Sequence, residues 1–325
     1  MCYLCIYQII TNLIMKDIIS SSDTKRVLVI GNGFDLDLGW NTRFSDFTKS
    51  KYWPQALSPI LRYLRQGLNQ DTWFDVEVQL GEYASERTPK SRQIICNDIL
   101  GFNLLVEGFT KYLLDEVSKP IKSDSVAAEV FSEILRNQNF TSIYSFNYTD
   151  LYYIAERLDI KSKFQYVHMH GSLKDNIIIG APEFKQLHKG YEFLYKTFNA
   201  NYRSTELIYD LREAKEVVFF GHSLGTTDYH YFQSFFKEQC NDQLKRSDAK
   251  KITIFTYDDN SRISIMSQLR AMNENKTNLL FHLNDFSVIM TSANKRESLD
   301  EYITHLRKTS LAEHQQQIDR LLSKL

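Results

Sequence analysis

Several short segments of the chain carry residues suited to handling phosphates, riboses or protons. The first is Gly31-Asn32-Gly33-Phe34-Asp35, directly after the apolar run Arg26–Ile30. Glycines at the end of a buried strand let the backbone approach a phosphate. The third glycine of the dinucleotide fingerprint is missing, so a tight strand-to-helix turn is the competing reading. Asp35 suits either a ribose hydroxyl or the cap of the following turn. The second segment is Ser145-Phe146-Asn147-Tyr148-Thr149-Asp150. Asn147 both donates and accepts hydrogen bonds, so it can orient a ribose or a water, but Asn, Thr and Asp also cap helices.

In His168-Met169-His170-Gly171-Ser172, strand alternation puts the two histidines on one face. His170 precedes a glycine, where the strand ends and a cleft opens, and imidazole is the natural general base near neutral pH. No carboxylate–histidine spacing elsewhere supports a metal. Gly221-His222-Ser223-Leu224-Gly225 matches the nucleophile elbow of serine hydrolases, and Asp258 or Asp259 followed by His282 would complete the order Ser, acid, His. Against a hydrolase, Thr226-Thr227-Asp228 delays the helix that an elbow enters at once. In Trp73-Phe74-Asp75-Val76-Glu77, the two acids are two residues apart and share no helix face, so a solvated helix start is expected, with a role at the cleft as the alternative.

The elements that position these groups follow from hydrophobic patterning. Arg26–Ile30, Thr141–Phe146, Phe164–Met169, Glu216–Phe220 and Lys251–Thr256 read as strands, with Ile177–Ile179 another candidate and Leu279–Leu283 the last. Helices are expected over Gln55–Leu68, Cys96–Val117, Tyr148–Leu158, Ser204–Ala214, Tyr229–Gln239 and Ser261–Met272. This rhythm predicts an α/β fold, a Rossmann-like doubly wound and mostly parallel sheet. A large helical insertion spans about 46–136 within a domain over 25–295, and a helical tail covers 296–325.

The totals exclude several classes. Lys and Arg number 39 against 40 Asp and Glu, with no basic patch, so nucleic acid is not an expected partner. A hydrophobic share of 43% is enough for a substantial core. Cys2 and Cys5 form a C-x-x-C that no second pair completes, while Cys96 and Cys240 stand alone, a pattern suited to a reducing compartment. The apolar stretch 1–15 is shorter than the ~20 residues of a membrane span and lacks a signal-peptide pattern. Residues 1–24 read as a leader, with Met15 as the expected start, and a cytoplasmic protein is expected.

The segments IGNGFDLDLGWNTRFSDF, WFDVE, YSFNYTD, VHMHGSL and FFGHSLGTTDYHYF resemble, in order from about Val27 to Tyr231, the signature segments of the AbiH family of phage abortive-infection proteins. They are also similar, more distantly, to sirtuin-like domains of antiviral NAD-consuming systems. That resemblance implies NAD as ligand or substrate, with Asn147 and His170 as the catalytic pair. It implies a nucleotide pocket from Gly31, Asn32, Gly33, Phe34 and Asp35, from Asp150 and Gly171, and from Gly221, Ser223 and Leu224, with Asp228 further along that segment counted among them. The zinc cysteines of protein deacetylases are absent, which disfavours deacetylation and implies no metal. A phage-derived trigger or homo-oligomerisation is expected to restrain such an activity.

Overall fold

The structure, a computed structural model, describes residues 25–322 apart from 57, 68–74, 87, 90, 138–139 and 293–295. Trp73, Phe74, Cys2, Cys5 and the Met15 start lie outside the described residues. Short runs rich in β-branched and aromatic residues form one sheet: β1 (Arg26–Ile30), β2 (Ser142–Ser145), β3 (Val167–His168), β4 (Glu216–Phe220), β5 (Lys251–Thr256) and β6 (Asp285–Met290). Their order is β3-β2-β1-β4-β5-β6, and every neighbouring pair is parallel. All five residues of β1 and of β4 are buried, as strands covered on both faces must be. The strand order reverses between β1 and β4, the position at which such sheets open a crevice.

Between β1 and β2 the described chain is helical: α1 (Asn32–Asp37), α2 (Phe44–Phe47), α3 (Pro59–Gly67), α4 (Val76–Glu86), α5 (Arg92–Val117) and α6 (Val126–Asn137). Further along come α7 (Leu151–Arg157), α8 (Leu207–Glu213), α9 (Tyr229–Gln239), α10 (Asp259–Met272), α11 (Thr277–Leu283) and α12 (Arg296–Leu322). Alternation along β1 sends Leu28 and Ile30 to one face, where they meet Phe131 of α6, Ile154 of α7 and Tyr302 of α12. Val27 and Val29 face the other way, toward Leu211 of α8, Phe232 and Phe236 of α9 and Leu269 of α10. The result is a three-layer Rossmann-like α/β fold. A separate core of Phe47, Trp53, Leu64, Leu80, Leu105 and Phe109 holds α2 to α5 together as a cap.

Three strand expectations change. Of Phe164–Met169 only Val167 and His168 pair, at the sheet's edge. Ile177 and Ile179 form no ladder, because they are buried in the core of the cap. Leu279–Leu283 lies in helix α11, and the last strand follows it as Asp285–Met290. A five-residue apolar run fits either element. Here only one side of it is buried, at Leu280, while Phe281 and His282 face outward. The ladder with β5 instead runs from Lys251 opposite Asp285 to Thr256 opposite Met290.

Candidate functional site

A cleft of about 570 Å³ opens at the carboxyl ends of the strands, under the cap. Its floor is made by two turns that touch backbone to backbone. The Gly33 amide donates to the Gly221 carbonyl at 2.8 Å, and a Cβ on Gly33 would sit 2.6 Å from Gly221 Cα. Gly221 itself has φ +65°, a conformation only glycine adopts without strain. The glycines of both turns therefore serve this close approach first. The amides of Gly31, Gly33 and Phe34 are spent on Phe220, Gly221 and Gly31 carbonyls. Asn32 is the residue of that turn whose amide makes no such bond among the described residues, and its Oδ1 accepts from Thr42 Oγ1.

Asn147 follows β2 and reaches across to the first turn. Its Nδ2 donates to the Gly31 carbonyl at 3.1 Å and to Asp35 Oδ1 at 2.9 Å. Thr149 Oγ1 donates to the same Asp35 oxygen at 3.1 Å. Both donors of the Asn147 amide are thereby used, and its Oδ1 is the group left for a ligand. Burial lifts the Asp35 carboxyl to about 7, against the pull of these two hydrogen bonds. His168 does not share a face with His170. Its Nδ1 lies 2.9 Å from the Asn147 carbonyl and its Nε2 3.2 Å from Tyr166 Oη, so it holds the asparagine from behind.

His170 is buried on the opposite wall, its ring edge-on to Phe146 at 5.3 Å. Its Nε2 is 3.4 Å from Lys196 Nζ and 3.5 Å from Asp228 Oδ1. Lys196 is also buried, and its Nζ lies 2.8 Å from Glu77 Oε2. Burial opposes the lysine's charge, but the Glu77 and Asp228 carboxylates outweigh it and raise its pKa. Burial, reinforced by the ammonium, depresses His170 to about 3, so the ring is neutral. Burial works to raise Asp228, yet Lys196 and the two imidazoles hold it well below the usual carboxylate range. Burial lifts Glu77 to about 7. His222 completes the wall: Nδ1 accepts from the Leu224 amide at 3.0 Å, which leaves Nε2 protonated, 3.6 Å from Asp228 Oδ2.

The structure thus brings Gly31, Asn32, Gly33, Asp35, Asn147, His170, Gly221, Ser223 and Asp228 to the cleft. It takes other expected pocket residues away from it. Phe34 is core, and Leu224 is buried on the α9 face at φ +53°. Asp150 caps α7 through the Tyr152 amide and pairs with Lys174 and Tyr166. Gly171 forms a left-handed turn at φ +75° beyond His170. The serine-hydrolase arrangement is not assembled, since Asp258 caps α10 through the Ser261 amide and His282 is exposed on α11.

Lys196 is not marked by sequence reasoning, His222 appears there only as a neighbour of Ser223, and Glu77 is expected at a solvated helix start. Asp75 does cap its helix, accepting from the Glu77 and Val78 amides, but both acids also line the cleft. The WFDVE segment itself was the available signal. For His222 the signal was masked by the more familiar Ser223. Among the described residues no group of three or more His, Cys, Asp or Glu is placed to hold a metal. None of the described helices is long and apolar enough to cross a membrane.

A Rossmann-like sheet whose switch-point crevice is roofed by a helical cap defines the class. The family description "Bacteriophage abortive infection AbiH" matches residues 27–247, and the chain belongs to that family. No curated protein matches it.

Proposed function

We propose that this phage-defence protein binds NAD or a related nucleotide in the switch-point cleft and cleaves its nicotinamide–ribose bond. The observation that carries the reading is the sign of the cleft's charge beside Asn147 and His170. Asp35, Asp75, Glu77 and Asp228 line it, among the described residues four acids against two cations, Arg43 on the rim and the Lys196 ammonium buried behind Glu77 and Asp228. Cleavage passes through an oxocarbenium-like ribose, and preorganised carboxylates stabilise such a cation. The C–N bond breaks and its electron pair leaves with nicotinamide, neutralising that ring. A water adds to the ribose carbon and its proton passes to His170. Asn147 Oδ1 orients that water, while the Asn32 amide and Arg43 lie where a pyrophosphate would run. A cleft of about 570 Å³ is in the range for a nucleotide.

A non-catalytic sensor is the second reading, favoured by one observation. In this arrangement His170 is held neutral with a lysine ammonium at its Nε2, a poor resting state for a base. On the catalytic reading the protein is cytoplasmic and held inactive by self-association or until a phage-derived trigger releases it. Purified protein incubated with NAD, with nicotinamide followed by chromatography, tests the choice. Release by the wild type and by neither His170→Ala nor Asn147→Ala is the expected result. Tight NAD binding without release over hours, also in infected-cell lysate, leaves the sensor.

A further inference from the structure

We propose that Lys196 and Asp228 are opposed positioning residues that compete for one ring nitrogen of His170 and so choose which tautomer the ring presents to a ligand. The proposal deepens the reading of His170 as the site's proton acceptor and rests on it. Nε2 has two neighbours of opposite demand at nearly equal range, the Lys196 ammonium at 3.4 Å and Asp228 Oδ1 at 3.5 Å. An ammonium can only donate and an ionised carboxylate can only accept, so one nitrogen cannot satisfy both.

When Lys196 donates to Nε2, the ring's proton resides on Nδ1. The histidine then offers a ligand a donor and has no free lone pair with which to act as a base. In that state Asp228 Oδ1 is buried with no hydrogen-bond donor, the Lys196 ammonium standing 3.9 Å off, within ion-pair range but too far to donate. When the ring's proton moves to Nε2 it donates to Oδ1, and the lone pair passes to Nδ1. The exchange moves one proton between the two nitrogens and changes no net charge. Lys196 keeps a partner in both states, because Glu77 Oε2 lies 2.8 Å from its Nζ. Asp228 Oδ2 faces His222 Nε2, whose proton is fixed by the Leu224 amide at Nδ1, so that oxygen is engaged and Oδ1 is the one that changes partner. His230 is the other titratable group that acts on the ring. Glu77 comes from the cap, Lys196 from the chain beneath it and Asp228 from the turn before α9. The basicity of His170 therefore depends on how the cap's helix α4 is seated.

Tautomers are read directly from two-bond proton–nitrogen spectra of the full chain labelled with ¹⁵N-histidine, with His170→Gln to assign the signals. No nucleotide is needed. In the wild type the expected result is a protonated Nδ1 and an unprotonated Nε2. Lys196→Met is expected to reverse this, moving Nε2 into the shift range of a protonated nitrogen, while Lys196→Arg restores the wild-type pattern. Asp228→Asn is expected to keep the Nδ1–H form. The same tautomer in wild type and folded Lys196→Met overturns the proposal. Should Lys196→Met not fold, an Nε2–H ring in Asp228→Asn overturns it equally. A ring that switches as expected in a protein that releases no nicotinamide, in infected-cell lysate as well, leaves this proposal standing and removes the catalytic reading.

Discussion

At the amino ends of the central strands, Arg26 and Glu216 stand opposite each other in register, with Nε and Oε2 3.2 Å apart. His305 of α12 meets the same carboxylate oxygen at 3.2 Å. At the carboxyl ends of the sheet, His170, Asp228, Lys196 and Glu77 form a second buried ionic group. Each group leaves one carboxylate oxygen without a donor, Glu216 Oε1 in the first and Asp228 Oδ1 in the second. Burial and an unsatisfied acceptor therefore do not separate a site from a staple. The first group joins two adjacent strands and seats the last helix. The second gathers four distant segments around a cleft and sets a cation and an anion against each other at one nitrogen. Competition beside a cavity is the distinguishing mark.

The comparison can be broken most strongly at His170. Its replacement by alanine should cut nicotinamide release about 10²–10⁴-fold, the usual reach of general-base help, with NAD binding only modestly weakened in titration calorimetry. Wild-type turnover in that variant would take the histidine out of the mechanism. At the other end of the sheet, Glu216→Gln should leave turnover per folded molecule unchanged. It should cost about 3–5 kcal/mol in urea unfolding, because Arg26 is left as a buried charge without its carboxylate. Altered turnover with unaltered stability would reverse the roles of the two groups.

A smaller effect sharpens the first wall of the cleft. The Asp35 pKa is raised from an ordinary carboxylate value to about 7 in the folded chain. The folded state therefore holds this proton more tightly than the unfolded state. Stability from Asp35 is full below pH 4 or so and is lost as pH rises toward about 7, a few kcal/mol at most. Asp35→Asn should flatten that part of the urea-midpoint profile, and an unchanged slope would show another group responsible. Smallest of all, Ser223→Ala should leave turnover within about twofold of wild type, and a fluorophosphonate should not label Ser223, whose hydroxyl accepts from the Gly225 amide and is bonded to no histidine among the described residues.

Much of the sheet was legible in the sequence because β1, β2, β4 and β5 are short β-branched runs ending at polar or glycine-rich turns. Helix Tyr229–Gln239 was legible to the residue. The apolar run before β6 was not, since five residues carry too little period to separate helix from strand. At the site, Asn147 and His170 were visible through their dipeptide settings. Lys196 was not, because nothing local distinguishes a lysine buried by a distant helix. Glu77 was set aside by a helix-face rule that does not apply at a helix's first turn, where a side chain points into whatever lies ahead of it. The glycines of the Gly-Asn-Gly turn suit either a ligand or a tight turn in the sequence, and in the fold their nearest neighbours are the backbones of His222 and Gly221.

The central position of β1 has a consequence for how a cell makes this protein. The strand is synthesised well before its partner in β4, which lies 190 residues later, as the Arg26–Glu216 contact measures. At about 5–20 residues per second, roughly 10–40 s of translation separate the two. Until then β1 has an open edge, and the cleft lacks the wall that carries His222 and Asp228. A chain released before Asp228 therefore lacks at least part of the β4 side of the crevice and cannot assemble the cleft described above.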